Sequence, residues 1–316
     1  MKKTVSFVIP CYRSEHTLEG VVSEIIGKMK TLEETYAFDI ILVNDCSPDG
    51  TWNVIEKLNS CYPFIKGINF SRNFGQHSAL MAGIAEADGE YVVCLDDDGQ
   101  TPAGEADKLL DKMRDGYDVV YAKYAHKEHS VFRNWGTWLN DKMACALLDK
   151  PRELYLSSYF CMRKYIADEV IKYTNPYPYL AGLIIRATHN IANVDIHHRQ
   201  RDSGSSGYTF RKLVSLWFNG FTSFSVKPLR IASFSGFIVA FIGMLYAVFI
   251  VIHKIVNPEI AVGWSSLMAA LLIIGGMLML MLGLIGEYIG RIYISLNKMP
   301  QYVIKEKLEA FSNREL

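Results

Sequence analysis

Two stretches near the C-terminus, Ile231–Ile252 and Ile260–Gly286, contain no Asp, Glu, Lys or Arg at all. Each is longer than the roughly 20 residues a helix needs to cross about 30 Å of hydrocarbon. Core helices of soluble proteins seldom carry so long an uncharged run, and two in tandem are rarer still. Hydropathy therefore predicts a membrane region over 231–289, with spans at about 231–253 and 264–286. The linker HKIVNPE holds the turn signal Asn257-Pro258, so the spans form a hairpin with both flanks on one side. Arg199, Arg201, Arg211, Lys212, Lys227 and Arg230 precede the first span, and Arg291, Lys298, Lys305 and Lys307 follow the second. The linker has only Lys254. The positive-inside rule then puts both ends in the cytoplasm. The expected location is the inner (cytoplasmic) membrane, multi-pass, with a large cytoplasmic N-terminal domain and a cytoplasmic tail at 290–316.

Across its 316 residues the chain has zero formal charge, so no global basic field points to nucleic acid. The N-terminal MKKTVSFVIP has the lysines of a signal peptide, but its apolar stretch ends at Pro10 and is too short for an h-region. Cys11, Cys46, Cys61, Cys94, Cys145 and Cys161 show no CxxC pairing or Cys/His ligand spacing. They read as reduced, mostly buried thiols of a cytosolic domain.

From residue 4 to about 121, strand-like and helix-like segments alternate. TVSFVIP, FDIILVND, FIKGINF, YVVCLD and YDVVYA are short β-branched or aromatic runs. Between them, LEGVVSEIIGKMK, TWNVIEKLNS, HSALMAGIAEA and AGEADKLLDKMRD have helical periodicity. This alternation predicts an α/β fold, a mostly parallel sheet with helices on both faces. Ligands of such sheets bind at the carboxyl ends of the strands. VIPCYRSE, VNDCSPDG and LDDDGQ all fall there, and they are expected to converge on one crevice. The N-terminal domain divides into a ligand-binding half, 1–125, and a second half, 126–230. In the latter, EHSVFRNWGTWLNDKMACALL and YTFRKLVSLWFNGFTSFSVK mix Trp, Phe and Leu with basic residues at helical spacing. Both read as helices lying in the membrane interface, with amphipathic core helices as the alternative.

The densest chemistry is LDDDGQ. Adjacent like charges raise one another's pKa and repel unless a cation sits among them. On a strand end, residues two apart point the same way, so Asp96, Asp98 and Gln100 converge and Asp97 turns aside. Two carboxylates and an amide oxygen make a hard, incomplete oxygen shell suited to Mg²⁺ or Mn²⁺, with open positions for substrate phosphates. A solvated acidic turn is the bland alternative. In VNDCSPDGT, Asp45 ends an apolar strand, where it either serves the turn or accepts the imino N–H of a pyrimidine; Asp49 or Ser47 can cap the next helix. In PCYRSE, Pro10, Tyr12 and Glu15 follow the first strand, with Tyr12 able to stack a base and Glu15 to accept from a ribose. SRNFGQHSALMAGI leads through a glycine turn to a helix N-terminus, which attracts anions. Neither GxGxxG nor a Walker motif is present. Arg199 and Arg201, in HHRQRDSGSSGYTFRKL, suit phosphates at a lipid surface or a plain basic segment facing the membrane.

In order, VIPCYRSE, VNDCSPDGT, RNFGQHSALMAG, LDDDGQ, R-x-x-G-x-S-x-Y from Arg201 and GLIGEYIGRIY resemble the family 2 polyprenyl-phosphate glycosyltransferases. That group includes dolichol-phosphate mannosyltransferases, bactoprenol glucosyltransferases and undecaprenyl-phosphate 4-deoxy-4-formamido-L-arabinose transferases. The resemblance covers nearly the whole chain and implies a glycosyltransferase-A type Rossmann-like domain. It implies that Pro10, Tyr12, Glu15, Asp45 and Asp96 hold the nucleotide-sugar, that Asp96, Asp98 and Gln100 hold the metal, and that Asp98 and Arg201 act at the reacting phosphates. The implied donor is a nucleoside-diphosphate sugar, the acceptor polyprenyl (undecaprenyl) phosphate, and the assembly a homo-tetramer. Three departures stand out: Arg13-Ser14 intervenes before Glu15 and offsets it from the family position, while Gly207 in place of a Lys and Ser157-Ser158 in place of an Asp leave the donor sugar open. A processive polysaccharide synthase is the nearest rival, but no QxxRW motif occurs here. An inactive, membrane-anchored sugar-nucleotide-binding protein is the rival from another class, and an intact LDDDGQ weighs against it.

Overall fold

The computed structural model describes residues 2–124, 151, 153–197, 227–256, 263–296 and 299–310. The two expected interfacial helices lie outside the described residues except for Lys227, and so do Asn257-Pro258, Cys145, Arg199 and Arg201. The described residues up to His197, together with 299–310, form one compact unit, and 227–256 with 263–296 form another.

The first unit is built on an eight-stranded sheet: β1 (Lys3–Cys11), β2 (Tyr36–Asn44), β3 (Ile65–Phe70), β4 (Tyr91–Cys94), β5 (Val119–Tyr124), β6 (Phe160–Arg163), β7 (Ile191–Ile196) and β8 (Ile304–Leu308). Their order is β7-β5-β6-β4-β1-β2-β3-β8. β6 and β8 run against their neighbours, and the other strands share one direction. The helices are α1 (Leu18–Thr31), α2 (Thr51–Cys61), α3 (Gln76–Ala85), α4 (Ala106–Arg114), α5 (Lys164–Val170) and α6 (Leu180–Ala187). The α/β alternation expected between residues 4 and 121 is therefore present, segment by segment. The segment after the hairpin, expected as a tail, instead supplies β8, an edge strand of this sheet.

Alternate residues of β1 face opposite layers, as a strand's period of two requires. Val5, Phe7 and Ile9 pack with Leu18, Val22 and Ile25 of α1, Ile55 of α2 and Leu109 of α4, all fully buried or nearly so. Val8, on the other side, receives α3. The approach is close because of Gly83: an added Cβ would stand 2.3 Å from Val8 Cγ1 and 3.1 Å from Val43 Cγ2. That contact seats α3 against β1 and β2 and brings its first turn, at Gln76, to the carboxyl ends of the strands. Among the described cysteines, Cys11, Cys94 and Cys161 are buried, whereas Cys46 and Cys61 are exposed.

The second unit consists of α7 (Lys227–Val256) and α8 (Trp264–Leu296). Phe237, Phe241, Met244, Leu245 and Phe249 of α7, and Leu271, Ile273, Met279 and Leu282 of α8, all stand exposed. Contiguous apolar surface of this kind calls for an apolar environment or partner. Within α8, Ile273–Gly290 is long and apolar enough to cross a membrane, and α7 has a shorter apolar stretch, Gly236–Tyr246. The two helices meet where Gly236 faces Met281; a Cβ there would come within 2.6 Å of the Met281 methyl.

Gly83→Ala is expected to destabilise the protein. Overpacking against the stiff Val8 and Val43 side chains outweighs the gain in helix propensity, leaving a net loss of about 1–2 kcal/mol. Thermal unfolding of the full chain in detergent checks this.

Candidate active site

β1 and β4 are neighbours whose connections depart to opposite sides: β1 leads through α1 to β2, and β4 leads through α4 toward β5. Such a reversal opens a crevice at the strands' carboxyl ends. The motif loops after β1, β2 and β4 all lie at that end. A larger depression of about 610 Å³, lined by Lys2, Lys3, Glu34, Thr35 and Arg114, lies at the opposite, amino ends of β1 and β2.

After β4 the chain enters Asp96–Gln100, which is half-buried. Asp96 Oδ1 accepts from Gln76 Nε2 at 2.7 Å, and its Oδ2 accepts from the Ser158 hydroxyl. Asp97 turns back across the crevice, where Oδ2 accepts the Tyr12 N–H at 2.9 Å. Asp98 Oδ1 accepts the Gln100 N–H at 3.0 Å, closing a turn through Gly99. Gly99 has φ +72°, a left-handed conformation that glycine adopts without steric cost. All these donors are neutral, and among the described residues no Lys or Arg forms an ion pair with the three carboxylates. Burial accordingly holds the Asp96 carboxyl above the usual carboxylate range and pushes Asp97 up to about 6.

The β2 end is organised around Asp45, which is buried. Its Oδ1 accepts the Phe74 N–H at 2.7 Å and its Oδ2 the Gly75 N–H at 2.8 Å, while Asn73 Nδ2 donates to its carbonyl at 3.2 Å. Burial still raises its pKa, against the lowering effect of the two N–H groups. Glu15 Oε2 accepts the Gly50 N–H at 2.7 Å, fastening the β1 loop to the start of α2. Arg13 N–H donates to Ser47 Oγ at 3.2 Å and Ser14 N–H to Thr51 Oγ1 at 3.0 Å, in the same sense. Asp49 Oδ1 accepts from the Thr51 hydroxyl at 2.6 Å, at the first turn of α2. Arg13 and Cys46 hold φ of 59° and 52°, conformations unusual outside glycine that concentrate at functional loops. Tyr12 is 45% exposed, its ring flanked by the Arg13 guanidinium 5.5 Å from the centroid.

Of the residues singled out in the sequence, Tyr12, Glu15, Asp45, Asp96, Asp98 and Gln100 thus lie at one end of the sheet. Pro10 is buried within β1. Arg201 lies outside the described residues. Three contributors were not singled out: Gln76, which grips Asp96, and the Phe74 and Gly75 amides on Asp45. Ser158, noted in the sequence only as a departure from the family's Asp, is the other partner of Asp96. Only the glycine turn before α3 hinted at the amide pair, and nothing local marked Gln76 as a partner of Asp96.

The donor chemistry suits a hard cation held incompletely. No three His, Cys, Asp or Glu side chains converge on one point among the described residues. A cation at Asp96 and Asp98 would therefore draw its remaining ligands from Gln100, water and substrate oxygens. Beside Asp96 lies a cavity of about 220 Å³, lined in part by Gln76, Ser158, Tyr121, Phe160, Leu80 and Leu180.

The profile of glycosyl transferase family 2 matches residues 6–171, and that of the GtrB C-terminal hairpin matches residues 227–292. The chain is 34% identical over 312 residues to the undecaprenyl-phosphate 4-deoxy-4-formamido-L-arabinose transferase of Proteus mirabilis, covering 96% of this chain and 93% of that one. The enzyme of the same name from Photorhabdus laumondii is 33% identical over 314 residues, covering 96% and 94%. Among solved structures, the glucosyl-3-phosphoglycerate synthase of Mycobacterium tuberculosis in complex with UDP superposes with a TM-score of 0.51 at 18% identity, covering 70% of this chain and 78% of that one. This last likeness concerns the fold alone.

The raised Asp97 carboxyl has a measurable consequence. Burial pushes this carboxyl from its ordinary value of 3.8 up to about 6, so the native state binds the proton more tightly than the unfolded chain. Stability is then lost as pH rises from about 4 to about 6. Without divalent cations, Asp97→Asn is expected to gain about 1–2 kcal/mol over the parent across that interval, since Asn keeps an acceptor for Tyr12 without the charge. Denaturant unfolding at a series of pH values measures it.

Proposed function

The chain belongs to glycosyl transferase family 2 and carries the GtrB C-terminal hairpin, and from that premise we propose that it transfers a sugar from a nucleoside diphosphate, UDP by preference, to undecaprenyl or another polyprenyl phosphate. The observation that carries the reading is the half-buried carboxylate cluster at the β1/β4 reversal, which has no protein cation among the described residues. Near-complete overlap with enzymes named for an undecaprenyl-phosphate acceptor supports the lipid side. The product would serve cell-envelope glycan modification.

In this reading Asp96, Asp98 and Gln100 hold Mg²⁺ or Mn²⁺. When bound, the cation offsets the charge that develops on the departing diphosphate. Asp97, by holding the Tyr12 N–H, fixes the β1 loop against the β4 turn. The exposed ring of Tyr12 offers a stacking surface for the base, whereas Pro10, buried in β1, backs the start of that loop. Asp45 and Glu15 form the wall toward the nucleoside, where lone pairs beyond those used on Phe74, Gly75 and Gly50 can accept from base and ribose. Arg201 adds a cation at the phosphates. The acceptor is a phosphate monoester, already ionised near neutral pH, so attack needs no strong general base.

The exposed apolar helices α7 and α8 support an inner-membrane, multi-pass hairpin in the lipid bilayer, with the catalytic unit in the cytoplasm. The enzyme would then meet its acceptor's phosphate at the membrane interface. A homo-tetramer is the assembly that the family resemblance implies.

The test is a panel of radiolabelled nucleoside-diphosphate sugars, incubated with membranes bearing the full chain and undecaprenyl phosphate, with Mg²⁺, Mn²⁺ or a chelator. One donor is expected to label the lipid fraction in a cation-dependent way. Asp98→Asn is expected to lower turnover by about 10²–10³ while its unfolding temperature moves by no more than about 2 °C. Near-normal turnover in that variant contradicts the metal assignment, and no transfer from any donor contradicts the reaction.

A further inference from the structure

The described segment 299–310 makes contacts that an edge strand does not need. Gln301 Nε2 donates to the Tyr173 and Asn175 carbonyls at 3.1 and 3.0 Å. Lys307 pairs with Glu86 at 2.6 Å, and Asn59 Nδ2 donates to the Glu309 carbonyl at 3.0 Å. These anchor the segment at both ends. Its middle is fixed on one place, the junction where β3 becomes the loop 71–75. The Tyr302 ring stacks on Phe70 with centroids 5.3 Å apart and planes 9° from parallel, and the Val303 carbonyl accepts the Ser71 N–H at 3.0 Å. The β3–β8 register slips between Asn69 and Phe70, at the same junction.

From there the contacts continue into the site. Phe70, fully buried, meets Phe74 edge-on at 5.6 Å. The Arg72 guanidinium covers the other aromatic partner, 4.6 Å from the Phe74 centroid. Phe74 and the next residue, Gly75, supply the two N–H groups on the Asp45 carboxylate. Gly75, at φ +91°, takes a left-handed conformation that glycine adopts without steric cost. Tyr302, Phe70, Phe74 and Asp45 therefore form an unbroken series of contacts from the segment that leads into β8 to the nucleoside wall.

We infer that Tyr302 is a positioning residue for nucleotide binding: by stacking on Phe70 it holds the 71–75 loop, and through Phe74 it sets the Asp45 carboxylate for the nucleoside of a nucleoside-diphosphate donor. This rests on the nucleotide reading of Asp45. Its consequence is that the segment which follows the hairpin in the chain contributes to donor affinity through the residues leading into β8, beyond the strand's closing of a sheet edge.

The experiment compares the full-length parent with Tyr302→Ala, Tyr302→Phe, Phe74→Leu and Asp45→Asn in detergent. It measures UDP affinity by calorimetry, donor KM and kcat with the donor that the panel identifies, and amide exchange over 71–75. Loss of one aromatic stack is worth about a fivefold change in binding. Tyr302→Ala is expected to weaken UDP binding and raise donor KM by that factor, with kcat unchanged and faster exchange at Phe74 and Gly75. Tyr302→Phe, which keeps the stacked ring, is expected to match the parent. Phe74→Leu leaves β8 intact, so it is expected to reproduce the KM increase even if Tyr302→Ala fails to fold. Unchanged UDP affinity in Tyr302→Ala or Phe74→Leu, while Asp45→Asn weakens it, overturns the inference and leaves the nucleotide reading standing. Unchanged affinity in Asp45→Asn as well overturns both. A Tyr302→Phe variant as impaired as Tyr302→Ala also overturns it, because the stack would then not be the cause.

Discussion

Three consecutive carboxylates at the end of a buried strand are held half out of water by neutral donors, and most of the site's geometry follows from how that crowding is managed. Asp96 faces Gln76 and Ser158, Asp97 reaches back to Tyr12, and Asp98 closes its own turn through Gly99. Each carboxylate thereby faces a different element, and none is neutralised by a protein cation among the described residues. Partial burial raises the cost of keeping charge on such groups. In the proposed function, a bound divalent ion and the diphosphate it neutralises would offset that cost, so the cluster would gain stability on binding them.

The placement of the cluster depends on the sheet. Only between β1 and β4 do the connections diverge, and only there can a loop from each side face the other without a crossing helix between them. The Tyr12–Asp97 hydrogen bond spans that gap. Gly83 has an indirect part: by letting α3 settle onto β1 and β2, it delivers Gln76 to Asp96 and Gly75 to Asp45. Strained residues sit at the same rim, Arg13 after β1 and Cys46 after β2; the Arg13 N–H is held by Ser47 Oγ, and the Ser47 N–H bonds back to Asn44 Oδ1 at the end of β2.

The first five strands and four helices were legible in the sequence because each has a strong one-dimensional signature. Val5–Cys11 and Ile40–Asn44 are continuous buried runs, and α1 repeats apolar residues at helical spacing. What the sequence did not disclose is mostly long-range. β6 and β7 are short, four and six residues, and lie beyond the strand–helix alternation that marks residues 4 to 121. β8, Ile304–Leu308, is largely exposed and carries two lysines and a glutamate, so its pairing with β3, some 240 positions earlier, has no local mark. The site followed the same division. The acidic motif and its turn glycine were visible, whereas Ser158 on Asp96 and the Phe74 and Gly75 amides on Asp45 depend on tertiary contacts between separate segments.

The proposed function requires coupling between a divalent cation and a nucleoside diphosphate at the β4 turn. Calorimetric titration of the purified full chain with UDP, with and without Mn²⁺, measures that coupling directly. The prediction is that Mn²⁺ tightens UDP binding by about tenfold or more, and that UDP tightens Mn²⁺ binding by the same factor, as linkage requires. Equal UDP affinity with and without the cation, or no UDP binding in either case, would contradict it.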